Sequence, residues 1–185
     1  MINVNDFKTG LTIIVDGNLF SVLEFQHVKP GKGSAFVRSK LKNLRTGATI
    51  DYTFNAGIKV ETARVEKKAK QFLYSSGDDY IFMDMDDYSQ DTVNKKVIGE
   101  DTKYLKEGLD VEIIFYKGEI LGINFPDKVE LTVTKTEPGV KGNTSSTAMK
   151  DATLETGYIV KVPLFIDEGD QVIISTKDGK YTSRA

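Results

Sequence analysis

The sequence predicts an all-β protein of three small barrels in tandem, an SH3-like barrel followed by two oligonucleotide-binding (OB) barrels. Three observations lead there. Short apolar alternations of period two recur along the 185 residues, each closed by a turn rich in Gly, Asp or Asn. Only residues 89–99 offer a helical pattern, and Pro126 breaks pairing between the second and last thirds. Gly108-Leu109-Asp110-Val111-Glu112-Ile113 also echoes Gly157-Tyr158-Ile159-Val160-Lys161-Val162 in spacing, as two related barrels would. The predicted domains are residues 1–64, 65–127 and 128–185.

In the first domain, residues 11–15 and 19–26 flank Asp16-Gly17-Asn18, a turn of the Asp-Gly type, and read as a hairpin. A strand over residues 35–44 follows, then a turn at Arg45-Thr46-Gly47. Residues 48–54 alternate Ile50, Tyr52 and Phe54 against Thr49, Asp51 and Thr53, and Asn55-Ala56-Gly57 turns the chain into residues 58–65. Five short strands with tight turns and no helix describe a small barrel.

The second domain opens with strands at residues 71–74 and 80–83. The predicted helix over residues 89–99 has Asp91 as its cap, Val93, Val97 and Ile98 as its apolar face and Gly99 as its stop. Strands at residues 111–116 and 120–125 complete that barrel. The third has strands at residues 129–134, 158–162 and 171–176, a polar loop over residues 137–146, and a turn at Asp178-Gly179.

One hairpin stands apart. Between the strands ending at Gln26 and starting at Ala35 lies His27-Val28-Lys29-Pro30-Gly31-Lys32-Gly33-Ser34. Pro30 fixes its own φ, and Gly31 and Gly33 permit positive φ, so the chain reverses and holds Lys32 at a tip between the smallest residues. The strand that follows puts Phe36, Arg38, Lys40 and Lys42 on one face and Val37, Ser39 and Leu41 on the other. That face is a basic stripe of roughly 20 Å, a fit to a nucleic-acid backbone. An ordinary exposed turn and a solvated barrel face account for tip and stripe taken singly; together they favour RNA.

Charge is distributed to match. Residues 1–64 hold nine Lys/Arg against five Asp/Glu, residues 65–127 eight against fourteen, and residues 128–185 eight against eight, within a net −2. A basic first third meets a polyanion while the middle does not. With 39% hydrophobic residues the chain buries real cores. It has no cysteine and a single histidine, His27, which excludes thiol and Ser-His-Asp chemistry and His- or Cys-rich metal sites. A hydrogen-bonded structural role is expected for His27. Asp84, Asp86 and Asp87 lack the spacing of a calcium loop and read as a solvated edge. Gly139-Val140-Lys141-Gly142 lacks the lysine placement of a phosphate-binding loop. No enzyme, cofactor or metal is expected. The first fifteen residues carry no signal-peptide pattern and no run is long enough to span a bilayer, so a cytoplasmic location without membrane contact is expected.

Two segments carry a family resemblance. Lys29-Pro30-Gly31-Lys32-Gly33 running into Ala35-Phe36-Val37-Arg38 resembles the N-terminal, KOW-like domain of bacterial elongation factor P. The segment from Lys150 to Gly169, including Gly157-Tyr158-Ile159-Val160-Lys161-Val162-Pro163, resembles that family's C-terminal signature. The resemblance covers the whole chain. It implies a monomeric translation factor with its barrels in an L-shaped, tRNA-like arrangement, bound to the ribosome between the peptidyl and exit sites. There it stimulates peptide-bond formation at consecutive prolines.

By the same resemblance Lys32 is the tip residue near the CCA end of the P-site peptidyl-tRNA, or of initiator tRNA, and the target of a lysine-modifying enzyme. Lys29, Pro30, Gly31, Gly33 and Ser34 form its loop. Arg38, Lys40 and Lys42 would hold tRNA or rRNA phosphates. Gly142, Asn143 and Thr144 would meet the mRNA codon in the exit site, with Asn143 where many relatives have aspartate. Tyr181 and Arg184 would reach tRNA or the small subunit, a capped final strand being the alternative. The competing class is a generic OB-fold RNA-binding protein or RNA chaperone, which would show clustered aromatics beside basic residues on a strand face. Only Phe36 has that setting.

Overall fold

The computed structural model describes residues 1–139 and 148–185. Its strands form three separate sheets. The first contains β1 (Ile2–Asn3), β2 (Thr12–Val15), β3 (Asn18–Val28), β4 (Phe36–Asn43), β5 (Thr49–Asn55) and β6 (Lys59–Thr62), in the order β1-β6-β2-β3-β4-β5. It has six strands where five are expected. The extra one is the short β1, in which Ile2 pairs with Val60 and Asn3 with Lys59, too brief to show an alternation. A single 3-10 turn, Val4–Asp6, follows, and the Asn3 side chain accepts from the Asn5 amide at 2.9 Å. It drops Val4 and Phe7 into a core with Ile13, Val22, Val37, Leu41 and Phe54. Phe7 meets Phe54 edge to face at 5.4 Å. Asp16 and Gly17 both have positive φ in the β2–β3 turn, as an Asp-Gly hairpin requires.

The second sheet contains β7 (Glu66–Ser76), β8 (Asp79–Met83), β9 (Gln90–Asn94), β10 (Asp110–Tyr116) and β11 (Glu119–Asn124), in the order β11-β10-β7-β8-β9. The third contains β12 (Lys128–Thr136), β13 (Met149–Leu154), β14 (Ile159–Pro163), β15 (Gln171–Ser175) and β16 (Tyr181–Arg184), in the order β14-β13-β12-β15-β16. Counted from the first strand of each, the two orders are the same. Pro163 closes β14, an edge strand, where a missing amide costs no ladder bond.

The sequence echo, however, is set wrongly. It aligns β10, the fourth strand of its barrel, with β14, the third of the next. The hydrogen bonds give the true correspondence. Gly108 N donates to Phe72 O and Phe72 N to Leu109 O; Gly169 N donates to Val133 O and Val133 N to Asp170 O. Leu105 and Ile166 each donate to a carbonyl three residues back, as do Leu109 and Asp170. Both glycines have positive φ, and the first strand of each barrel bulges at the matching place, between Phe72 and Tyr74 and between Val133 and Lys135. Leu105-Lys106-Glu107-Gly108 and Ile166-Asp167-Glu168-Gly169 are therefore one turn used twice, each followed by a buried valine, Val111 and Val172.

The predicted helix over residues 89–99 is mostly absent. Gln90–Asn94 is the edge strand β9, with Val93 buried against β8. The helix α1 is a single turn, Lys95–Ile98, capped by the Asn94 side chain rather than by Asp91, and a 3-10 segment, Gly99–Tyr104, follows. Val97 is exposed, so the expected apolar face is not formed. Asp91 instead faces inward and pairs with Lys70. Asp84 is no solvated edge either: it accepts from the amides of Asp86 and Asp87 and pairs with the same buried lysine.

The chain divides into two compact units, residues 1–67 with 114–122 and residues 68–113 with 123–185. Within the first, Arg45 and Glu119 make a two-pronged ion pair, Nη2 to Oε2 at 3.2 Å and Nε to Oε1 at 3.3 Å, which raises the Arg45 pKa. Within the second, Tyr104 leaves its own sheet and joins the core of Val129, Leu131, Val162 and Ile174. Its ring meets Phe125 and Tyr158 edge to face, both at 6.1 Å, and Tyr158 Oη donates to Gly179 O at 2.6 Å. Lys103 Nζ lies over both tyrosine rings, 5.3 Å from one centroid and 4.6 Å from the other. No helix among the described residues is long and apolar enough to cross a membrane.

Candidate nucleic-acid interface

The ladder between β3 and β4 sets the site. Its last rung pairs Val28 with Phe36, and Ala56 N donates to Ala35 O at 3.0 Å, tying the base of the loop to the end of β5. Residues 29–34 beyond it are all exposed. Gly33 has φ +99, which a side-chain-bearing residue rarely adopts, whereas Gly31 does not use its freedom to take positive φ. Lys32 stands between them, and no described residue pairs with its ammonium. Lys29 is exposed at the loop's start.

The β4 pleat holds as the alternation predicts. Val37, Ser39 and Leu41 are buried, and Ser39 Oγ donates to Tyr52 O at 2.7 Å. Arg38, Lys40 and Lys42 are exposed on the opposite face, and the Arg38 guanidinium lies 6.0 Å from the Phe36 ring centroid. The register shows what stands beside each cation. Arg38 is opposite Gln26 and Thr53, and Lys42 opposite Ser21 and Thr49, but Lys40 lies between Glu24 and Asp51. Residues directly opposite share a face, so the stripe is interrupted at its centre by two carboxylates. Neither was visible as a neighbour of Lys40 without the pairing. The His27 ring is exposed and packs edge to face with Phe25 at 5.8 Å, an aromatic contact where a hydrogen bond was expected.

Gly142, Asn143 and Thr144 fall outside the described residues. Tyr181 is half-buried opposite Ile174 and packs on the third core, a structural placement. Arg184 is exposed on β16, with its guanidinium carbon 5.7 Å from the centroid of Phe165, a ring not singled out in the sequence. Among the described residues, no group of three or more His, Cys, Asp or Glu is placed to hold a metal.

Residues 3–60 match the elongation factor P KOW-like domain, residues 65–123 the elongation factor P OB domain, and residues 129–184 the elongation factor P C-terminal domain. Among solved structures, the chain is similar to eukaryotic translation initiation factor 5A from Methanococcus jannaschii. That match has 26% identity and a TM-score of 0.53 over 66% of this chain and 92% of that one. It also shares its fold with a translation initiation factor eif-5a family protein from Naegleria fowleri, at 17% identity and a TM-score of 0.52 over 67% of this chain and 96% of that one.

The fold and these matches define a translation elongation factor made of β-barrels, not an enzyme. The chain belongs to the elongation factor P family.

Proposed function

We propose that this factor binds the ribosome between the peptidyl and exit sites and stimulates peptide-bond formation at consecutive prolines by positioning P-site tRNA. The observation that carries the reading is the Lys32 hairpin: an exposed amine beyond the last rung of β3 and β4, with Arg38 and Lys42 on the adjoining face. Proline is a constrained donor and acceptor, so a prolyl-tRNA spends little time in reactive geometry. Holding its CCA end in an attack-ready pose supplies part of the barrier as entropy already lost on binding. Lys32 contributes charge and hydrogen-bond donors to phosphate or ribose, and Arg38 and Lys42 hold backbone phosphates.

Extension of Lys32 by a modifying enzyme, and codon contact through Gly142, Asn143 and Thr144, belong to the same proposal. So do function as a monomer in the cytoplasm and the division into modules at residues 1–64, 65–127 and 128–185. In cells lacking their own factor, Lys32→Ala should fail to restore translation of polyproline reporters that the wild-type chain restores. Equal restoration by the variant overturns the reading. Intact mass of the native protein, with Lys32 mapped by peptide fragmentation, tests the modification.

A further inference from the structure

We infer that His27 is a positioning residue for Lys32: stacked on Phe25, its ring holds the end of β3 and so fixes the direction in which the loop leaves the barrel. The inference rests on reading Lys32 as the working tip. It assigns a role to a residue on the face of the ladder away from the basic stripe.

The need for a brace follows from the strand pairing. β3 has β2 beside it only from Asn18 to Ser21, and Gly10 and Leu11 bond to Val22 just beyond. From Glu24 to Val28 its only strand partner among the described residues is β4. The ladder also bulges between Val22 and Glu24, which bends the strand where its second neighbour ends. The two legs of the loop are therefore unequally anchored. The far leg runs into β4, which is paired along both edges, and Ala35 O accepts from Ala56 N at its base. The near leg is the overhanging end of β3.

A line of rings underpins that overhang. Phe54 on β5 meets Phe7 at 5.4 Å, Phe7 meets Phe25 at 6.5 Å, and Phe25 meets His27 at 5.8 Å, each pair edge to face. Phe54 and Phe7 are buried, Phe25 is half-buried and His27 is exposed, so the line starts in the core and ends at the rim. His27 stands opposite the fully buried Val37, which puts its ring on the core side of the ladder. It is the last inward-facing residue of β3; after the rung of Val28 and Phe36, residues 29–34 are all exposed. An exposed ring adds little to the burial of the core. Its contact with Phe25 acts instead on a strand end with one neighbour, where opening is easiest, and the bearing of Lys32 is inherited from that end.

Amide hydrogen exchange of the free full-length protein reads the brace directly. His27→Ala should lower the protection factors of Val28 and Phe36 about fivefold, as loss of one aromatic pair implies, and leave those of Ile13 and Leu41 unchanged. His27→Phe should restore them. In cells lacking their own factor, His27→Ala should restore polyproline reporters about threefold less well than the wild-type chain, with ribosome binding by pelleting unchanged, and His27→Phe should match the wild type. Unchanged protection at Val28 and Phe36 in His27→Ala overturns the inference. So does an equal fall at Ile13 and Leu41, which would make His27 a part of the general packing. His27→Phe that keeps the protection but fails the reporter overturns it too, because the imidazole would then act by direct contact. If Lys32→Ala restores the reporters as well as wild type, the functional reading fails, while the exchange data still decide whether His27 holds the root of the loop.

Discussion

Lys70 Nζ lies 3.0 Å from Asp91 Oδ2 and 3.3 Å from Asp84 Oδ2, in a side chain only 5% exposed. Asp91 Oδ2 has no hydrogen bond of good direction among the described residues, so the contact with Asp91 is ionic. Burial works against the Lys70 charge, but attraction to the carboxylates of Asp91 and then Asp84 outweighs it, and the Lys70 pKa is raised. The Asp84 pKa is lowered, first by the amides of Asp86 and Asp87 and then by Lys70. This cluster joins β7, β9 and the loop after β8.

The acid side of the stability curve follows from it. A carboxylate whose pKa is depressed on folding stabilises fully above its ordinary value, 3.8 for Asp84, and loses that contribution as pH falls through the lower folded value. The urea midpoint should therefore be flat from neutral pH to about 5 and fall below about 4. Asp84→Asn should start lower at neutral pH and fall less steeply in acid. A parallel acid limb in the variant would contradict the assignment.

Tyr104 sets the alkaline side. Burial first, then Tyr158, Asp101 and Asp178, push its pKa up to about 12. An acid whose pKa is raised on folding stabilises fully below its ordinary value, 10.0 here, and loses that contribution as pH rises through the folded value. In a spectrophotometric titration of the tyrosines, Tyr104→Phe should remove the step near pH 12 and leave the earlier ones in place. Loss of an earlier step instead would show that Tyr104 is open to solvent.

Gly179 tests the packing between Tyr104 and Tyr158. A Cβ there would lie 2.7 Å from Tyr158 Oη and 3.1 Å from Tyr104 Oη, at φ +73. Gly17, at φ +77, has nothing within 4 Å. Gly17→Ala should cost about 1 kcal/mol from conformation alone, and Gly179→Ala about 2–3 kcal/mol with steric displacement added. Equal costs by urea unfolding would show that the tyrosines yield without loss.

The cations of β4 should not contribute equally to RNA binding. Arg38→Ala and Lys42→Ala should each reduce the slope of log affinity against log salt by about 1. Lys40→Ala should change it less, because Glu24 and Asp51 flank that cation on neighbouring strands. With Glu24→Gln and Asp51→Asn in the background, Lys40→Ala should match the other two. Ribosome binding across a salt series reads all of these.

Much of this was legible because the β4 pleat is written into the sequence: Val37, Ser39 and Leu41 alternate with Arg38, Lys40 and Lys42, and burial follows. Two of the strands that the sequence does not reveal lack that alternation. Gln90–Asn94 has one buried residue, Val93, and Tyr181–Arg184 has none, so neither shows a period. Val93, Val97 and Ile98 also fit helical spacing, and only pairing with β8 decides between the two. The mates of Lys40 depend on register and on the bulge between Val22 and Glu24, which no local pattern specifies. Lys70 reads as a surface lysine until two distant carboxylates reach it. Phe165 sits in an apolar run, Leu164-Phe165-Ile166, where only the turn's hydrogen bonds show which residue faces out.

The Lys32 hook hangs past the final rung at Val28 and Phe36 without bracing the barrel. Folding does not depend on the hook, and a group attached to its amine should leave the melting temperature unchanged. The same segment is thus the natural place to splice in a longer or differently charged tip without disturbing the scaffold.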